Sequence, residues 1–125
     1  MEAFPLRGHT IRAADFVLAE WRADDQSSAE RPIAGLHVHF EDDEAWYVLE
    51  GTLGFRVGEE LVTAAAGAAV VVPKGTPHSY WNEGPGEARY LIVMAPRTAA
   101  LVETLHAGTG ESFHEIFRRH ASELL

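Results

Sequence analysis

The stretch His37-Val38-His39-Phe40-Glu41-Asp42-Asp43-Glu44 places two imidazoles and a carboxylate within eight positions, and a second stretch, Gly67 to Asn82, adds His78. Three imidazoles and one carboxylate are a ligand set suited to a divalent transition metal. In an extended strand alternate side chains share a face, so His37 and His39 point the same way while Leu36, Val38 and Phe40 give the run its apolar context. Glu44 follows the acidic turn Glu41-Asp42-Asp43 and precedes an apolar run, Ala45 to Leu49. His78 follows Lys74-Gly75-Thr76-Pro77, whose Gly and Pro mark a tight turn between two apolar strands. A lone histidine is more often a satisfied core or edge residue. Four ligand-type residues in two such stretches argue for a metal site.

Written out, the first stretch is His37-x-His39-x4-Glu44-x6-Gly51 and the second is Gly67-x5-Pro73-x-Gly75-x2-His78-x3-Asn82, separated by the fifteen residues Thr52 to Ala66. This pair resembles the two signature motifs of the cupin superfamily, over the central third to half of the chain. The resemblance implies one cupin domain over residues 1–125, mainly β: an antiparallel β-barrel or jelly roll over about 10–96, with a helical tail over 97–125. It also implies that His37, His39, Glu44 and His78 are the metal ligands. Two departures, Arg31 where a glycine is usual and Ala68 where an acid is common, concern turns and not coordination. The ion is one divalent transition metal, and Fe, Mn, Ni, Co, Cu and Zn all accept this set. Four protein ligands leave a six-coordinate ion two open positions, as a reactive site requires.

Hydrophobic alternation and turn punctuation predict strands at 16–22, 33–40, 45–49, 52–57, 61–63, 69–72, 78–81 and 89–94. The short Gly- and Pro-marked connections between them favour antiparallel hairpins. Val70 to Val72 and Leu91 to Met94 are apolar on both faces, so their outer sides call for cover by the tail or by a second subunit. After Pro96 the period changes. Thr98 is placed to cap a helix bearing Leu101, Val102 and Leu105 that ends at Gly108. Ser112 to Glu115 has the capping-box form, and Phe113, Ile116, Phe117, Ala121 and Leu124 form a stripe at helical spacing. That stripe serves as packing on the barrel, as a lid or as a dimer contact. His9, His106, His114 and His120 read as surface or helix-end residues.

The 125 residues, 46% hydrophobic, suffice for one domain with a real core. A net charge of −9 argues against nucleic acid and anionic membrane surfaces as partners, since both demand basic patches. The chain has no cysteine, hence no disulfide and no thiolate ligand, and its longest apolar stretch, Ala64 to Val72, is too short to span a bilayer. Met1-Glu2-Ala3-Phe4-Pro5 lacks a signal-peptide pattern, so a cytoplasmic location is expected.

Parity along the strands predicts a substrate pocket lined by Trp46, Val48, Phe55 and Tyr80, with Leu53 and Val57 also inward. Trp46 and Phe55 read equally as barrel core. Such a lining suits a small aromatic or otherwise apolar molecule. The chain looks most like the quercetin-dioxygenase-like group of small bacterial cupins. That implies a metal-dependent oxygenase acting on an aromatic or enol-type molecule, with Glu44 as the catalytic residue. A non-redox cyclase, isomerase or decarboxylase and a binding module without turnover are the alternatives. Strands apolar on both faces imply more cover than one small domain provides, so a homodimer is expected. Light scattering at micromolar concentration should give twice the chain mass; a particle of 13.7 kDa would refute the pairing.

Overall fold

In the computed structural model, which describes Ala3, Leu6 and residues 8–125, ten strands and two helices follow one another along the chain. The opening segment, where a leader would stand, lies apart from Ala3 outside the described residues. The strands are β1 (Thr10–Arg12), β2 (Val17–Ala23), β3 (Ala34–His39), β4 (Glu44–Glu50), β5 (Thr52–Val57), β6 (Glu60–Ala65), β7 (Ala69–Val72), β8 (His78–Asn82), β9 (Ala88–Met94) and β10 (Ser122–Leu124). Helices α1 (Pro96–Ala107) and α2 (Phe113–Arg119) lie between β9 and β10. Every pairing is antiparallel, in two five-stranded sheets ordered β1-β2-β9-β4-β7 and β10-β3-β8-β5-β6. The architecture is thus a double sheet of jelly-roll type, the second of the two forms expected from the sequence.

Period-two patterning decides which side chains fill the space between the sheets. Along β4, Glu44, Trp46 and Val48 are buried while Tyr47 is exposed, and along β9 Ala88, Tyr90, Ile92 and Met94 are buried. These meet Leu53, Phe55 and Tyr80 from the facing sheet in one apolar core. Val57, expected inward with them, is only partly buried at its edge. Trp46 packs edge-on against Phe55 at 5.2 Å between ring centroids, a favoured aromatic geometry. On the outer surface of the first sheet Tyr47, Val71 and Val93 remain exposed, so the tail does not supply the cover expected for them.

The tail instead folds over the opening between the sheets, where Leu101, Ile116 and Phe117 form a second small core with Leu105 and Leu124. Its local structure departs from the sequence reading in three ways. Ala95 is the N-cap of α1, with Pro96 in the first turn, and Thr98 lies buried inside the helix and not at its cap. Ser112 takes the N-cap position of α2 but makes no side-chain cap bond. The expected stripe breaks after Arg119: Ala121 turns left-handed at φ 51°, Leu124 joins β10, and Phe113 is 55% exposed. The helical end of α1 at Gly108 falls where expected, in a left-handed C-cap. Among the described residues no helix is long and apolar enough to cross a membrane.

Gly51 explains the last position of the first motif. It turns the chain from β4 to β5 at φ 80°, and a Cβ there would stand 2.9 Å from the backbone of Glu87 and Ala88. Both the left-handed backbone and the contact exclude a side chain. Asn82, last in the second motif, fastens loops: its amide donates to the carbonyls of Asp24 and Gly86 at 2.7 Å each, and its oxygen accepts from the Gly84 N–H at 2.8 Å. Gly51→Ala should therefore lower unfolding free energy by about 1–3 kcal/mol, measured by urea denaturation. An unchanged midpoint would show that the turn relaxes freely.

Candidate metal centre

Strand pairing brings the imidazoles together. His37 and His39 alternate along β3, and His78, the first residue of β8, is the Cα partner of His37. Residues 40–43 carry the chain across to the other sheet, where Glu44 opens β4 and faces the three rings. The Gly75 N–H donates to the His39 carbonyl at 2.7 Å, docking the Gly-Pro turn before His78 on the strand that bears the first two histidines. All four side chains are buried, and their ligand atoms lie within 4.8 Å of one another.

Hydrogen bonding aims the rings. The His37 Nδ1 sits 2.6 Å from the Gly35 carbonyl and the His78 Nδ1 sits 2.9 Å from the Thr76 carbonyl. A carbonyl only accepts, so each Nδ1 carries the proton and each Nε2 turns toward the centre. Glu44 Oε1 lies 3.1 Å from His78 Nε2 and 3.6 Å from His39 Nε2. Any Nε2–Glu44 hydrogen bond needs a proton at the centre, and a divalent cation takes the place of that proton. Burial, reinforced by repulsion from His78, lowers the His37 pKa to about 4, which keeps its lone pair available. Burial alone would raise the Glu44 pKa, but the adjoining His39 and His78 rings outweigh it and hold the carboxyl at about 2. The set of neutral nitrogens and one anionic oxygen, buried but facing a cavity, fits a divalent transition metal ion.

That cavity has a volume of about 690 Å3, within the ordinary range for small-molecule sites. His37, His39 and Glu44 line it, with Trp46, Tyr80 and Tyr90. Val48 and Phe55, read from sequence as pocket residues, do not: both are fully buried in the core, because their strands face the opposite sheet there and not the opening. Parity in β9 would have indicated Tyr90, which shares a face with Ile92. Nothing local indicated Thr98, Leu101, Leu105, Phe117 and Leu124, which the tail brings to the cavity wall.

The Tyr80 and Tyr90 hydroxyls are 2.8 Å apart. Burial raises the Tyr80 pKa well above 10 and pushes Tyr90 up to about 12, so both stay neutral donors. Among the described residues, the buried Trp46 Nε1 and Thr98 Oγ1 find no hydrogen-bond partner; the Trp46 N–H influences the Tyr80 oxygen without hydrogen-bond geometry. Both line the same cavity.

Two facing antiparallel sheets with three imidazoles and one carboxylate converging at their open end define a small β protein built around a candidate metal centre. The Cupin_2 family, cupin domain, matches residues 28–94, and the chain belongs to that family. Among solved structures, the protein TT1209 from Thermus thermophilus is 32% identical, with 69% of this chain and 77% of that one covered and a TM-score of 0.58. KdgF from Halomonas sp. is 21% identical over 69% of this chain and 73% of its own, TM-score 0.56. A provisionally named sugar phosphate isomerase from Acidithiobacillus ferrooxidans is 21% identical, TM-score 0.56, over 65% of this chain but only 50% of its own length. The last two share the fold. No curated protein matches this sequence.

Acid should destabilise the metal-free protein. His37 titrates at about 4 when folded and 6.5 when free, so between those values the unfolded chain binds more protons. Glu44, at about 2 against 4.5, acts in the same direction at lower pH. The melting temperature should fall from pH 6.5 to 4, and metal at a hundredfold excess over Kd should add about 2.7 kcal/mol. Calorimetry across this range with and without chelator checks both; identical melting curves after verified metal removal would count against the centre.

Proposed function

We propose that this protein is a metal-dependent enzyme of oxygenase type acting on a small aromatic or enol-type molecule. The observation that carries the reading is the convergence of His37, His39, Glu44 and His78 beside a cavity of about 690 Å3 walled mainly by aromatic and aliphatic side chains. A bound divalent ion would supply Lewis acidity and, if redox-active, a means of engaging dioxygen. The chain's own residues do the rest. Trp46, Ile92, Leu101 and Phe117 present apolar surface to a flat body. The Tyr80–Tyr90 hydroxyl pair, the Trp46 N–H and the Thr98 hydroxyl offer hydrogen bonds to its oxygens, which suits a hydroxylated or keto molecule over a hydrocarbon.

Glu44 has a definite task in this scheme. An ionised carboxylate among three imidazoles would serve first as a ligand, and it would accept a substrate proton only after leaving the ion. One observation favours a second reading, non-redox isomerisation, cyclisation or decarboxylation: the neutral Tyr80–Tyr90 hydroxyl pair lines the same cavity as Glu44, placing hydrogen-bond donors where a Lewis acid would polarise a carbonyl. The protein acts on this proposal as a homodimer, with the exposed Tyr47, Val71 and Val93 as one face available for pairing.

Metal analysis of the purified protein, followed by oxygen uptake with catechols and flavonols, tests the leading reading. A redox-active metal and oxygen consumption are expected; zinc with turnover but no oxygen uptake would overturn oxygenation in favour of Lewis-acid chemistry. Glu44→Gln keeps size and an oxygen ligand but removes charge and basicity. It should retain much of the metal and lose activity by about 10²–10⁴-fold, whereas full activity with full metal would reduce Glu44 to a tether.

A further inference from the structure

We propose that Ser122, in the strand that ends the tail, is a positioning residue of the metal centre and acts through His39. The proposal rests on the metal reading of the site. Strand β10 pairs antiparallel with β3 in a register that sets Ser122 opposite His39 and Leu124 opposite His37. Backbone bonds pin that register on both sides, from the Phe40 N–H to the Ala121 carbonyl at 2.8 Å and from the Leu125 N–H to the Leu36 carbonyl at 2.9 Å.

Ser122 is 2% exposed, and its Oγ lies 2.7 Å from His39 Nδ1 and 3.0 Å from the His120 carbonyl. The hydroxyl has one proton, and the carbonyl can only accept it. Toward His39 the oxygen is therefore the acceptor, the proton sits on Nδ1, and the Nε2 lone pair is left for the ion. His37 and His78 obtain the same tautomer from carbonyls two residues upstream in their own chain segments. His39 obtains it from a residue 83 positions away. One imidazole of the three thus depends on docking of the tail, and Phe117 of α2 adds an edge-on contact with the His37 ring at 5.6 Å between centroids. Without the Ser122 hydroxyl, His39 is free to rotate or to protonate Nε2, which puts a proton where the lone pair must be. Groups that orient metal-bound histidines in this way typically govern about 10–100-fold of metal affinity.

The test titrates metal-free wild type, Ser122→Ala, Ser122→Thr and Glu123→Ala with Co(II), following the visible ligand-field bands and, in parallel, the metal-free melting temperature and far-ultraviolet dichroism. Glu123 shares β10 but stands opposite Val38. Ser122→Ala is expected to bind Co(II) about 10–100-fold more weakly with altered bands, while its metal-free fold is kept. Ser122→Thr should restore both signals, and Glu123→Ala should match wild type. Wild-type affinity and bands in Ser122→Ala would overturn the proposal. So would a weakening that only tracks loss of the metal-free fold, because the residue would then merely hold the strand. A wild type that takes up no Co(II) would remove the metal reading itself.

Discussion

Burying three imidazoles and a carboxylate within 4.8 Å of one another is the constraint on which the rest of this structure depends. Each group would prefer water, and four of them in a dry pocket are tolerated only with their outer hydrogen bonds satisfied and a cation or protons at the centre. The backbone around them is arranged accordingly. Gly35 and Thr76 carbonyls hold two rings, Ser122 holds the third, and the Gly75 N–H clamps one motif to the other. Sheet pairing does the coarse placement by setting His37 beside His78, and the crossing at residues 40–43 brings Glu44 from the other sheet.

The two halves of the molecule contribute differently to the site. Behind the histidines, Val48, Leu53 and Phe55 form a close-packed interior that fixes strand positions and leaves no room for a ligand. In front, the tail supplies Thr98, Leu101, Phe117 and Leu124 as wall, so a separately cored pair of helices completes the cavity. The core and the cavity wall are thus built by different residues. The one acid of the cluster is held ionised beside two imidazoles, which suits it to the part of an anionic ligand more than to that of a base.

Much of this was legible in the chain. Spacing of His37, His39, Glu44 and His78 singled out the four residues that the fold brings into one buried cluster, and alternation located eight strands to within a few residues, because both are properties of neighbouring positions. Strands β1 and β10 escaped notice: three residues each carry too little pattern, and Ser122-Glu123-Leu124 reads as the end of a helix until Ala121 turns the chain. Thr98 has the chemistry of a cap, but Pro96 starts the helix two residues earlier and turns the same side chain inward.

The sequence by itself determined which four residues form the candidate ligand cluster, most of the inward and outward faces of the strands and the turns, since each follows from side-chain type and periods of two or 3.6 residues. Tertiary structure alone decided that two five-stranded sheets enclose the core, that Val48 and Phe55 fill it while Tyr90 and the tail line the cavity, and that Ser122 meets His39. Those outcomes depend on contacts between residues far apart in the chain, whose register is set by packing and leaves no mark in local pattern.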